Sequence, residues 1–460
     1  MSGANAGGAS PFRLVEMPDA GRPKFNELLY VQKFKKKAPP IRTQGDQWYV
    51  WDGNAWKLTS RDCFKPLALE TLPPQHRLAR HAKALMDHVD MGHQMGRDET
   101  LRGALHFDQE KRVVLINCEN GVLRVDATGM KLLPHCEEYL FTGYLRAIWD
   151  EKAEASLFTK VLDDALPDAH DQALLQWFSG YLLYPNAEEH EVFLLCFGEG
   201  GTGKSTIANA IMRTIGGEPL VTALSMTQIC GSGPAAYSLP KLQHAIVNMG
   251  TELDTVELDD SANFKRIVSG ETIEARTIYG RPFPMKTTAK LWFLANSLPR
   301  FKHGTEAELR RARFLLFDKK PQEKDVTLKD RLAAESSGIF RWMIAGLHAV
   351  LCGMNCPEGG EKSRSVKEKF AVSNDPVIAF VKQRCVIDPK DETPKQEIYD
   401  DFMDFLDGWG FGEASKKFLF QSLYQRVPSL TPHRYYDGNQ EKKPAGRYIR
   451  GLRLREVDEL

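Results

Sequence analysis

Neither sign of charge is in excess in this 460-residue chain, because Lys+Arg and Asp+Glu each number 61. That balance excludes recognition of a polyanion by global attraction, so any such surface has to be local. Cysteine is scarce, with eight residues at 63, 118, 136, 196, 230, 352, 356 and 385. The close pair Cys352-Gly-Met-Asn-Cys356 has no second pair or histidine cluster at zinc-finger spacing, so reduced thiols are expected. Cys196 reads as a small buried hydrophobe. No apolar run approaches the roughly 20 residues that a membrane span needs. The first ten residues hold neither a basic n-region nor an apolar h-region, and no internal repeat or extended low-complexity tract occurs. The expectation is a cytoplasmic protein of roughly three domains, with no membrane partner.

What the sequence does contain is Gly198-Glu-Gly-Gly-Thr-Gly-Lys-Ser205, spaced G-x-x-x-x-G-K-S. It follows the apolar run Val192–Phe197 and leads into a helical pattern from Thr206. Strand, glycine loop and helix in that order are the context of a phosphate-binding loop. Gly198, Gly200, Gly201 and Gly203 let backbone N–H groups turn toward β- and γ-phosphates, and the helix N-terminus adds positive potential. Lys204 supplies a mobile point charge and Ser205 a hydroxyl for Mg²⁺, with Thr202 and Thr206 completing the cradle. A nucleoside triphosphate is the predicted ligand.

Around this motif the pattern is α/β. Residues 11–90 are mixed, with the basic run Lys33–Lys37 before Pro39-Pro40. Trp48-Tyr-Val-Trp-Asp-Gly-Asn-Ala-Trp56 predicts a hairpin turning at Asp52-Gly53, its aromatics placed for cross-strand packing or for stacking bases. A second hairpin is predicted over Val113–Val125 around Asn120-Gly121, and a helix over Asp171–Tyr184. Strand-like runs at Val192–Phe197, Ala245–Met249, Leu291–Ala295 and Phe314–Phe317 alternate with helical stretches, which argues for a mostly parallel sheet covered by helices. Ile339–Leu351 is an amphipathic helix closing that unit. Residues 357–375 read as a polar linker. Helices at 376–386, 396–408 and 415–426, then a basic segment from Arg434 to Arg455, suggest a winged helix. The boundaries are 1–90 (accessory), 91–185 (mixed helical and β), 186–356 (nucleotide-binding core) and 375–460 (winged helix).

A triphosphate-hydrolysing site needs acids at the end of a second strand. Ala245–Met249 runs into Gly250-Thr-Glu252-Leu-Asp254, where Glu252 is placed to orient water and Asp254 to assist the metal. Leu291–Ala295 ends in Asn296-Ser-Leu-Pro299, whose amide can bond a γ-phosphate or the attacking water. Leu309-Arg310-Arg311-Ala-Arg313 precedes the last strand. These arginines are either a solvated face or a finger that reaches a neighbouring subunit's γ-phosphate.

In motif and in order, residues from about 110 to 455 resemble the helicase part of the phage, plasmid and poxvirus primase-helicases. That family is a branch of the superfamily 3 helicases within the AAA+ class. The likeness is carried by Asn120–Val125 with Thr128-Gly129 and Pro134-His135, then Trp177–Leu183, the phosphate loop and Glu252. It continues through Lys265, Ser269-Gly-Glu271, Ala275-Arg276, Tyr279-Gly280, Leu291–Pro299, Arg310-Arg311, Trp342–Leu347 and Asp375–Phe380. The family's usual Gly-Gly-Asp is Ser269-Gly-Glu271 here, and Glu252-Leu-Asp254 separates acids that this class often has adjacent. No primase domain is visible, so priming is expected to fall to a separate protein, a primase or polymerase, or not to occur at all.

The resemblance implies a hexameric, ATP-driven and Mg²⁺-dependent motor. It would move 3′ to 5′ on single-stranded or forked DNA during replication of a mobile element. It also implies that the hairpin Arg276–Lys286 enters a central channel, with Arg281 and Lys286 on phosphates and Tyr279 stacking a base. The alternative is an ATP-dependent origin-binding initiator or structural ring that does not unwind processively. A small-molecule kinase would not need the arginines, the hairpin or the basic C-terminal cluster of Lys416, Lys417, Arg434, Lys442, Lys443, Arg447, Arg450, Arg453 and Arg455.

Overall fold

A computed structural model describes residues 27–92, 95, 101–231, 233–253, 257–258, 262–278, 280–301, 306–321, 325–409, 412–436 and 443–455. Two compact units divide the chain, Met1–Leu101 and Arg102–Leu460.

In the first unit, a helix (Glu27–Lys37) leads to an antiparallel sheet of Ile41–Gln44, Gln47–Trp51 and Trp56–Thr59, followed by helices Lys65–Thr71 and Ala79–Met91. The Asp52 carboxylate closes the hairpin turn by accepting from the backbone N–H groups of Asn54 and Ala55, both at 2.8 Å. Trp51 stands opposite Trp56 in register, and their rings are 5.7 Å apart. Trp48 faces the core with Phe34, Phe64 and Leu85. Cross-strand and core packing therefore accounts for Trp48, Trp51 and Trp56.

The second unit begins with an antiparallel sheet of Leu105–Asp108, Val113–Cys118, Gly121–Asp126 and Gly129–Leu133. Cys118 pairs with Gly121, so the tight turn is Glu119-Asn120, one residue earlier than expected. Helix α1 (Ala169–Leu182) follows, capped by Asp168 accepting from the His170 N–H at 2.8 Å. The central sheet has five strands: β1 (Phe193–Phe197), β2 (Val221–Thr222), β3 (Val247–Leu253), β4 (Lys290–Ala295) and β5 (Ala312–Leu316). Their order is β5-β1-β4-β3-β2, and every neighbouring pair is parallel. The expected α/β class with a parallel sheet is therefore what forms.

Both faces of this sheet are covered, which explains why its strands read as continuous apolar runs. Leu194, Cys196, Trp292 and Leu315 join one core with α1, α2 (Lys204–Ile215) and α3 (Ser336–Leu351). Phe193, Leu195, Leu291, Phe293 and Phe314 join another on the opposite face. The first core also takes in Val114, Ile116 and Leu123, so the antiparallel sheet is packed into the same body. Helices α1 and α3 cross almost backbone to backbone: a Cβ on Gly346 would lie 2.1 Å from the Gln176 carbonyl oxygen, and one on Gly180 would lie 2.0 Å from the Leu347 nitrogen.

The linker expected at 357–375 is instead mostly helical, with α4 spanning Glu361–Asn374. Val366 and Phe370, four residues apart in a charged run, form a narrow apolar stripe that the overall polarity hides. Phe370 packs on Phe314 at 5.1 Å, and the Ser363 hydroxyl accepts from the Leu316 N–H at 2.9 Å. Three further helices, α5 (Pro376–Arg384), α6 (Lys395–Gly408) and α7 (Lys416–Arg426), surround a separate core with Phe380, Phe402, Leu419 and Ile449. Beside them lies an antiparallel sheet of Glu392–Pro394, Gly446–Arg450 and Thr431–Tyr435, in that order. Among the described residues, no helix is long and apolar enough to cross a membrane.

Candidate phosphate-binding site

Strand β1 ends at Phe197, and the chain turns sharply because Gly198 sits at φ 151° with its N–H donating to the Ala295 carbonyl at 3.1 Å. A Cβ there would lie 2.1 Å from the Phe317 carbonyl oxygen, so only glycine fits. Gly201 and Gly203 are also left-handed, at φ 83° and 90°, and Gly203 caps α2. A Cβ on Gly200 or Gly201 would meet nothing within 4 Å, so the loop is open to solvent at both positions.

Lys204 opens α2 and is only 7% exposed. Its Nζ donates to the carbonyls of Gly198 (2.5 Å) and Glu199 (2.6 Å) and to Asn296 Oδ1 (3.1 Å). Burial lowers its pKa from the ordinary lysine value. The Thr202 hydroxyl donates to the Glu199 carbonyl at 2.9 Å. Ser205 is exposed in the first turn of α2 and Thr206 is half-buried. A contact that sequence reasoning missed is Lys320, whose Nζ lies 2.6 Å from the Glu199 carboxylate and holds it below its ordinary pKa. Those two residues are 121 positions apart, and no local signal joins them.

Asn296 follows β4 directly, and β4 lies between β1 and β3. Leu253 of β3 is in register with Ala295, so the end of β3 lies beside the end of β4 that Asn296 follows, at the same end of the sheet as the glycine loop. Glu252 belongs to this end of β3, but its side chain lies outside the described residues, as do Asp254 and Tyr279 entirely.

Arg310 and Arg311 are not brought to the loop. Ala312 pairs with Phe193, so both arginines stand at the opposite end of the strands, one strand length (roughly 15 Å) away. Their environments differ. Arg311 is 13% exposed, donating to Glu191 at 2.6 Å and to Ser269 Oγ at 2.9 Å, whereas Arg310 is 73% exposed and 3.6 Å from Glu191.

The expected hairpin forms, with Ile273–Ala275 antiparallel to Phe283–Met285 and Ala275 opposite Phe283. Arg281 is exposed in the connecting loop. Lys286 lies at the base, paired with Glu188 at 2.5 Å. In the C-terminal sheet, the buried Glu392 carboxylate engages Lys443 at 2.6 Å and Arg450 at 3.2 Å, and accepts from the Tyr435 hydroxyl at 2.8 Å. Arg434 and Arg447, opposite each other in register, are exposed.

Residues 27–167 match the family described as D5 N terminal like, and residues 196–311 match DUF5906, a family of unknown function. Similar solved structures include the A form apo structure of the NrS-1 C terminal region, at 11% identity and TM-score 0.51, covering 88% of each chain. Another A form structure of that region has 9% identity and TM-score 0.50, covering 92% of this chain and 99% of that one. At such identity the likeness is one of fold. No curated protein matches the chain.

Proposed function

We infer that this chain is a ring-forming, ATP-dependent DNA helicase of superfamily 3, acting in replication of a phage, plasmid or other mobile element. The observation that carries this reading is the parallel order and register of the strands, with Lys204 and Asn296 in contact at their C-terminal ends and Arg310 at the opposite ends. A site divided in this way suits hydrolysis between neighbouring subunits of an AAA+ oligomer, in which one subunit's arginine completes the next subunit's phosphate loop. The open loop at Gly200 and Gly201, beside a buried lysine, fits a triphosphate. Ser205 is the hydroxyl that would hold Mg²⁺, which neutralises phosphate charge when bound. Lys204 exchanges its backbone carbonyl partners for phosphate oxygens, Asn296 positions the γ-phosphate or water, and Glu252 orients that water. Arg281 tracks a strand, and the C-terminal helices with their sheet act as a winged helix whose exposed Arg434 and Arg447 meet phosphates.

ATP hydrolysis with and without single-stranded DNA, together with strand displacement on a 3′-tailed duplex, tests this function. Lys204→Ala and Arg281→Ala are expected to abolish displacement, and Lys204→Ala hydrolysis as well. Displacement surviving both substitutions would sink the mechanism. DNA-stimulated hydrolysis without displacement in the unmodified protein would favour the non-unwinding initiator.

A further inference from the structure

Just before β1 the chain runs Glu188-Glu-His-Glu191, and its three carboxylates reach cations on three different elements. Glu191 holds Arg311 at 2.6 Å and faces Arg310 at 3.6 Å, both from the helical turn entering β5. Glu189 pairs with Arg112 at 3.1 Å and accepts from the Tyr184 hydroxyl at 2.5 Å. Glu188 pairs with Lys286 at 2.5 Å, where the second strand of the hairpin ends. Between them His190 packs edge-on against Trp177 and Tyr181, with ring centroids 4.9 and 5.5 Å away.

The backbone is held as firmly. Glu191 is a non-glycine residue at φ 49°, and its N–H donates to the Ala187 carbonyl at 3.0 Å. Left-handed backbone at such a residue persists only where its surroundings over-determine it. Ser269, which accepts from Arg311, is followed by Gly270 at φ 69°, where a Cβ would press on Ala187 Cβ at 3.1 Å and Glu188 Cγ at 3.2 Å. That turn leads into the first hairpin strand, so the acidic run touches the approaches to both strands.

We propose that Glu191 is the positioning residue for Arg310, and that Glu188–Glu191 links this arginine to the base of the hairpin. The inference rests on the inter-subunit ATPase reading above. An exposed arginine has many rotamers and has to be aimed to work on a neighbour's nucleotide. Locked to Arg311 and fixed to the first residues of β1, the Glu191 carboxylate presents a fixed negative charge beside Arg310 and narrows its range. The other end of β1 opens the same subunit's phosphate loop, so one strand joins the site that receives an arginine to the site that sends one. Lys286, paired with Glu188 at the surface, brings the base of the hairpin into the same network.

The experiment uses full-length protein. Glu191→Gln keeps an acceptor for Arg311 but removes the charge, and is expected to lower ATP turnover about two- to threefold, the weight of an exposed ion pair, while ATP affinity is unchanged. Mixed with Lys204→Ala, it is expected to recover turnover at about a quarter of sites, because a randomly assembled ring then pairs an intact loop with an intact arginine. Arg310→Ala mixed with Lys204→Ala serves as control and should recover likewise. Glu188→Gln is expected to lower the ratio of DNA-stimulated to DNA-free turnover. Unmodified turnover in Glu191→Gln, or no recovery in its mixture while the control recovers, overturns the role of Glu191. An unchanged ratio in Glu188→Gln overturns the link to the hairpin. Failure of both mixtures overturns the inter-subunit reading beneath the proposal. Should Glu191→Gln not fold, Glu191→Asp, which withdraws the carboxylate by one methylene, is assayed in the same mixture with the same expected recovery.

Discussion

Arg310 and Arg311 are adjacent in sequence but differ in what they can do. Arg311 is largely buried against Glu191 and Ser269, so its guanidinium is committed to its own subunit. Arg311→Ala leaves Glu191 without its close partner and is expected to lower stability by about 1–3 kcal/mol, read from the urea midpoint. Arg310 is mostly in solvent, where its ion pair contributes little, so Arg310→Ala is expected to shift stability by less than about 0.5 kcal/mol. Its kcat for ATP should nevertheless fall about 10³-fold if it stabilises transition-state charge on a neighbour's nucleotide. The opposite pattern, with Arg311 controlling turnover and Arg310 controlling stability, would reverse the assignment. The motif Leu309-Arg-Arg-Ala-Arg313 carries no hint of this division, because the Glu191 that makes it lies 120 residues earlier.

Among the elements, the α1–α3 crossing and helix α4 carry the most specific packing. Gly346→Ala would drive a methyl group into the Gln176 carbonyl and push the two helices apart, at a cost of about 1–3 kcal/mol or more by overpacking. Calorimetry of this variant should show a lowered Tm. In α4, Phe370→Ala removes a ring buried against Phe314 and is expected to cost about 3–5 kcal/mol, measurable by chemical denaturation. A cost below about 1 kcal/mol would mean that α4 is only a tether. The helical character of α4 was hidden from sequence because a few apolar positions among many charges resemble a solvated linker until β5 covers Val366 and Phe370 and the C-terminal core takes in Val372.

Across the whole molecule, Lys290 makes stability depend on pH. It begins β4, is 2% exposed, and its Nζ donates to the carbonyls of Tyr184 and Thr288, both at 2.8 Å. Burial pushes its pKa down to about 7 from 10.5. Between those values the unfolded chain binds more protons than the folded one, so stability rises with pH across that window, by at most about 1.4 kcal/mol per unit. Below about pH 7 both states are protonated and the folded state bears the full penalty of a buried charge. The Tm is therefore expected to rise from pH 7 to pH 9, and Lys290→Met to flatten that slope. A slope unaffected by the substitution would mean that other groups set it.

The parallel α/β sheet, the three hairpins, the three helices after 375 and the order of strand, glycine loop and helix at Gly198–Ser205 were legible in the sequence. Each rests on local periodicity or on glycines at fixed offsets, interactions that span only a few residues. Asn296 was legible for the same reason, since it follows an apolar strand. Tertiary structure alone decided that β4 lies between β1 and β3, which brings Asn296 to Lys204, and that the arginines stand at the opposite end of the strands. It alone tied Glu188–Glu191 to Lys286, Arg112 and Arg311, and Lys320 to the loop. These are ion pairs between elements far apart in the chain, and their partners are chosen by the fold, because opposite charges on a neutral chain have many possible mates until packing leaves one within reach.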